Sequence, residues 1–350
     1  MILDILLTAI VLILLTFAAL YKFKKTNDTT FFLSREYGNW IKGLCAIIVI
    51  MVHFSKDYQN PFQDAIGSFA FVAVTFFFFF SAYGMQFNVE KNKGYLNYFW
   101  RNKLVSLLVP CITFNIVVFF FTYFRTGEWN FQRLYWINKY VRVLLEYCVW
   151  FFLIMLLVKY KLISNKRIID LLLIAGVLLS SLIYYFSKTG YVVSAQIGWC
   201  YERWGLIWGL LFYRYFDPLL IWLNNRRAKK TIIFLVLSLI LGLTYLKYKT
   251  VWFSGEYCLK IVLGLVIITF VMLLTQKRIF GNYISTVLGN ASYEIFLSHG
   301  FIMSVLTFYF PHLPSGFFIV LTILLTIILS IPLHALNKII VGKLRYNYKK

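Results

Sequence analysis

Apolar runs of about 20 residues recur along the whole chain, separated by short segments in which Lys, Arg, Asn and Gly collect. The runs are continuous rather than alternating, which is the pattern of membrane-spanning helices and not of a transmembrane barrel. About eleven spans are predicted, over residues 2–21, 40–55, 66–87, 104–124, 141–160, 168–186, 197–213, 231–247, 256–275, 284–310 and 316–336. The run at 40–55 is short and extends toward Glu36. The run at 197–213 is the least apolar and carries Glu202 and Arg203. The expected fold is an all-α integral membrane protein, a bundle of about ten core transmembrane helices plus one extra N-terminal helix, since backbone groups in lipid must be satisfied within the chain.

Composition strengthens this picture. The 350 residues are 61% hydrophobic and 20% aromatic, with a mean hydropathy of +0.76, whereas soluble domains run about 45–50% apolar. So much apolar surface needs the lipid bilayer as its solvent. The net charge is +22, from 35 Lys and Arg against 13 Asp and Glu. Such a surplus could signal a nucleic-acid partner, but the cations gather in alternate connections: 22–25, 90–94 with 100–103, 159–167, 224–230, 276–278 and the tail 343–350. That is the positive-inside distribution. It predicts no nucleic acid, a cytoplasmic C-terminus and an external N-terminus. Residues 1–21 lack a basic leader and an A-x-A-like site, so an uncleaved first span is expected. Five cysteines stand singly in apolar runs and read as inert thiols. The expected organisation is an extra helix and basic linker at 1–33, a membrane domain at 34–336 and a basic tail at 337–350.

Chemistry is sought among ionisable groups inside the spans, which are functional candidates by default. The stretch NWIKGLCAIIVIMVH carries Lys42 and His53, eleven residues apart. On a continuous helix that spacing returns to nearly the same face, with the two groups roughly 16 Å apart along the axis. An imidazole near the midplane could act as general base or as a transient nucleophile; the spacing does not choose. Lys42 alone fits a snorkelling cation. In WRNK, Arg101 and Lys103 could signal topology or capture phosphates. In GNASYEIFLSHGF, Asn290 or Ser292 could cap a helix, and Glu294 and His299 enter an apolar span. His312 falls in an external loop and His334 near a helix end. Glu146 and the adjacent Glu202 and Arg203 complete the intramembrane charges. No acidic DxD cluster, HExxH, P-loop or GxSxG occurs, so no metal site is expected.

These pieces, in this order, resemble the membrane acyltransferase 3 family. Lys42, Gly43, Ala46 and His53 match its basic-x10-His first core helix, with Asn39 where an Asp is common. FVAVTFFFFFSAYGM resembles its second core span through Ser81 and Tyr83. NYFWRNKLVSLLVP resembles its basic third helix through Arg101, Lys103 and Pro110, with Ser106 in place of a further basic residue. YCVWFFLIMLLVKY matches through Trp150, Phe151 and Tyr160, and GNASYEIFLSHG through Ser292, Tyr293, Leu297 and His299. The resemblance covers about residues 34–336.

It implies an O-acetyltransferase moving an acetyl group from cytoplasmic acetyl-CoA to a hydroxyl of a surface polysaccharide or its lipid-linked precursor. It implies a bacterial cytoplasmic membrane as the location. By the same resemblance His53 is the base or acyl carrier, Tyr293 and His299 assist it, and Lys42, Arg101 and Lys103 hold the donor's phosphates. Two other classes share some of these features. A transporter of polysaccharide or lipid-linked sugar also needs many spans and midplane polar groups, but the paired, Gly/Pro-broken half-helices that mark such transporters are missing. A multispan glycosyltransferase would need an acidic base, for which only Asp57 and Asp64 stand near a membrane edge.

Overall fold

The computed structural model describes residues 2–26, 31–92, 94–189 and 199–346, and these are almost wholly helical. The helices in chain order are α1 (Ile2–Leu20), α2 (Arg35–Ile50), α3 (Pro61–Ser68), α4 (Ala70–Lys91), α5 (Phe99–Thr126), α6 (Lys139–Lys159) and α7 (Lys166–Thr189). They continue with α8 (Trp204–Arg214), α9 (Phe216–Asn224), α10 (Arg227–Tyr248), α11 (Leu259–Thr275), α12 (Tyr283–Asn290), α13 (Ser292–Tyr309) and α14 (Ser315–Leu344). Two short strands, β1 (Lys24–Lys25) and β2 (Arg278–Ile279), pair antiparallel.

Among the described residues, eight helices are long and apolar enough to cross a membrane, or nine if α8 and α9, bent by 88°, form one broken span. The expected spans at 40–55 and 284–310 are not such helices. The first ends at Ile50, and α2 has only 16 residues. The second is split at Ala291 into α12 and α13. The expected caps Asn290 and Ser292 are corrected too. Asn282 caps α12 through a reciprocal bond pattern with Ser285, and Ala291 stands between the helices.

The chain forms two compact units. One comprises Met1–Ala73, Arg101–Asn138 and Lys277–Tyr346; the other is built from Val74–Trp100 and Lys139–Gln276. In the first, α2 and α12 approach backbone to backbone. A Cβ added at Gly43 would lie 2.6 Å from the Gly289 nitrogen. The Trp40 indole donates to Thr286 Oγ1 at 3.0 Å across the same contact. Gly43→Val is therefore expected to push the two helices apart, costing about 1–3 kcal/mol as overpacking does. A lowered thermal midpoint of the purified protein would register it, and an unchanged midpoint would show that this contact is slack.

Three helices of this unit start at the same end. Phe114 and Phe301 pack at 6.0 Å, and Arg125 lies 4.8 Å from the Phe308 ring, so α5 and α13 run parallel. Asn39 reaches Asn290 just before α13, and His53 meets His299 further along it, so α2 follows the same direction. Helix α14 is antiparallel to α13: Ser298 meets Ser330 at 3.0 Å, and Asn337 donates to Glu294. Helix α1 is tied in by Asp4, which accepts from the Gly316 nitrogen at 2.9 Å.

In the second unit, Gly205 and Gly209 of α8 lie against the α4 carbonyls of Thr75 and Phe79. Arg214 bridges Asp170 at 2.9 Å and Glu90 at 2.6 Å. The buried Arg203 pairs with Glu146 at 3.0 Å and covers the Tyr184 ring. A π-helical turn at Ser254–Cys258 leads into α11. These pairs neutralise charges inside apolar helices, which is how such groups are tolerated there.

Candidate active site

Ser34 starts α2 by accepting from the Tyr37 nitrogen at 3.1 Å. The helix stops at Ile50, so Lys42 and His53 do not lie on one continuous helical face. Met51 and Val52 turn the chain, and the His53 nitrogen bonds back to Ile50 O at 3.1 Å. Helix α3 supports this turn. The buried Gln63 side chain donates to the Met51 carbonyl. Gly67 lies against the same carbonyl, where a Cβ would come within 2.8 Å. Beyond the turn, Phe54 packs on Phe318, and Tyr58 stacks on that ring at 3.8 Å while donating to Pro311 O.

His53 is thus presented on a braced turn, and it is exposed. Its Nδ1 lies 2.9 Å from Val49 O. A carbonyl can only accept, so Nδ1 carries the hydrogen in this contact and Nε2 keeps its lone pair. The ring of His299, 6% exposed, stands behind it with centroids 4.7 Å apart and planes tilted by 58°. His299 Nδ1 likewise approaches its own Ile295 carbonyl at 3.3 Å. Two imidazoles on different elements therefore face each other with their Nδ1 positions already committed.

The cations gather at the shared starting end of α2, α5 and α13. Lys42 is half-buried and has no hydrogen-bond or carboxylate partner among the described residues. Arg101 is exposed, and its Nε donates to Leu344 O at 2.8 Å, at the end of α14. Lys103 follows on the same turn of α5, half-buried. Nine residues of chain from Asn290, the level of Lys42's helix turn, to His299 place the histidine pair about 14 Å deeper.

Tyr293 serves a contact between helices. Its hydroxyl donates to Leu107 O at 2.8 Å and meets Cys111 Sγ at 3.3 Å, fastening α13 to α5. Ser292 is buried at the first turn of α13. A further constellation was not foreseen. The carboxylate of Glu294, 4% exposed, accepts from His334 Nδ1 at 3.2 Å and from Asn337 Nδ2 at 2.9 Å. Asn337 in turn accepts from Thr113 Oγ1 at 2.7 Å. The three-residue step from His334 to Asn337 on an apolar helix was the available signal, since it puts both on one face.

The groups gathered here suit transfer of an activated acyl group: an exposed nitrogen base held on a braced turn, and cations for an anionic carrier at one end of the same unit. Searches of curated proteins and of solved structures return no match. The family model described as an acyltransferase domain matches residues 35–335. The chain therefore belongs to the membrane acyltransferase 3 family and is a multi-pass membrane acyltransferase.

Proposed function

We propose that the protein transfers an acetyl group from acetyl-CoA to a hydroxyl of a cell-surface polysaccharide or its lipid-linked precursor. The observation that carries this is the exposed His53 imidazole, held by its Nδ1 with Nε2 open, about 14 Å from a cationic end of the same unit. In this reading Lys42, Arg101 and Lys103 hold the phosphates of the donor. The extended pantetheine arm carries the thioester inward. His53 Nε2 takes the proton as the sugar oxygen bonds to the acetyl carbonyl carbon. The carbon–sulfur bond then breaks, and the departing thiolate receives that proton from the imidazolium. His53 as transient acyl carrier, with the acetyl first on Nε2, uses the same geometry. His299 backs the ring in either case and limits its orientation, and Tyr293 fixes the helix that carries His299.

The cationic end would face the cytoplasm of a bacterium, where acetyl-CoA is found, and the C-terminus with it. No metal is invoked. The decisive experiment incubates the purified protein with acetyl-labelled CoA and candidate glycans. Label on the glycan supports the proposal. Sugar movement across liposomes without label transfer would support a transporter, which the family assignment disfavours. Arg101→Ala is expected to raise the KM for acetyl-CoA by about tenfold, the weight of one charge-assisted phosphate contact, and the KM for the acceptor far less. Equal rises in both would remove Arg101 from donor binding.

A further inference from the structure

Leu344 and Tyr346, at and just beyond the end of α14, are bonded to the first turn of α5. Asn102, 4% exposed, grips Tyr346 at both backbone groups: its Nδ2 donates to Tyr346 O at 3.2 Å, and its Oδ1 accepts from Tyr346 N at 2.7 Å. Arg101 Nε donates to Leu344 O at 2.8 Å. Arg345 is bracketed between these two anchored residues. Its backbone is extended (φ −76°, ψ 141°) and its amide still bonds to Val341 O at 2.9 Å. Its side chain is exposed and has no hydrogen-bond or ion-pair partner among the described residues.

Local counter-charge is missing from both strands of this clasp. No Asp or Glu occurs between Glu90 and Glu128, and none follows Glu294. Cations that only mark a membrane side need no fixed geometry. Here a buried amide holds the backbone of Tyr346 with two reciprocal bonds, and Arg345 stands in the chain between that residue and Leu344, whose carbonyl Arg101 binds. Two planar forks held on one short stretch match a phosphate better than a diffuse charge does.

We infer that Arg345 and Arg101, set by the Asn102–Tyr346 clasp with Lys103 on the same turn of α5, form a phosphate-binding site at this end of the unit. Resting on the proposed function, the phosphate is that of the CoA donor; an anionic lipid headgroup offers the same chemistry.

The test uses the full-length protein in nanodiscs. In phosphatidylcholine nanodiscs, CoA binding is measured by calorimetry for the parent, Arg345→Ala and Arg345→Lys. Arg345→Ala should raise the Kd about tenfold, with Arg345→Lys recovering part of the loss. Combining it with Arg101→Ala should give a change that is not the product of the two single changes. A second arm measures retention of phosphatidylglycerol by native mass spectrometry. Loss of CoA affinity assigns the phosphate to the donor; loss of lipid retention alone assigns it to the headgroup; both support the site. Unchanged CoA affinity together with unchanged lipid retention in Arg345→Ala would overturn it. Because neither arm involves transfer, His53→Ala protein should still show the binding. A failed transfer assay thus counts against the proposed function and not against the clasp.

Discussion

Replacing His53 by alanine is expected to reduce acyl transfer by about 10²–10⁴-fold, the usual contribution of a positioned acid–base group. The protein should still insert, and its thermal midpoint should hold. The ring is exposed, and its Nδ1 bond to Val49 O is local, so its removal leaves no buried group unsatisfied. The turn that presents it is set instead by Gln63 and Gly67 against Met51 and by the Phe54 and Tyr58 contacts with Phe318. His299→Phe makes the companion measurement. A phenyl ring can fill the position behind His53 but cannot share its proton. A smaller loss than in His53→Ala is expected if His299 acts by backing the ring. Label transfer retained at the parent rate in His53→Ala would remove His53 from the mechanism.

Much of this site could be read from the sequence because its chemistry is expensive to place in lipid. An ionisable group within an apolar run stands out, and His53, His299 and Lys42 are visible for that reason; Arg101 is visible through the basic WRNK run that precedes a span. The helical nature of the spans followed from hydropathy alone. What hydropathy could not give was where helices stop. Met51 and Val52 are as apolar as a continuing span, with no Gly or Pro to end it. The stop comes from Gln63 and Gly67, which meet the Met51 carbonyl only after α3 has folded back. Asn282, eight residues before the foreseen cap at Asn290, was overlooked because its partner Ser285 is a weak sequence signal beside an Asn followed by an apolar run. The pairing of Glu294 with His334 was hidden for a similar reason: the two lie 40 positions apart, and only the antiparallel register of α13 and α14 joins them.

That pairing supports the second large effect. Glu294→Ala should cost about 3 kcal/mol, near the low end for breaking a buried charged pair. The discount reflects His334, whose side chain is 30% exposed and can find other hydrogen-bond partners at the surface. Asn337 has no such relief. At 2% exposure it would lose the acceptor for its amide, and the bond from Thr113 would then hold a side chain with one end unsatisfied. The thermal midpoint should fall by on the order of 5 °C. Glu294→Gln keeps an oxygen for Asn337 and an amide for His334, so it should recover more than half of that fall. The two variants separate fold from chemistry. If Glu294→Gln regains stability and transfer together, the carboxylate is a clamp joining α5, α13 and α14. If it regains stability while transfer stays low, the negative charge itself acts on the reaction. A midpoint unmoved by Glu294→Ala would mean that the network does not hold these helices at all.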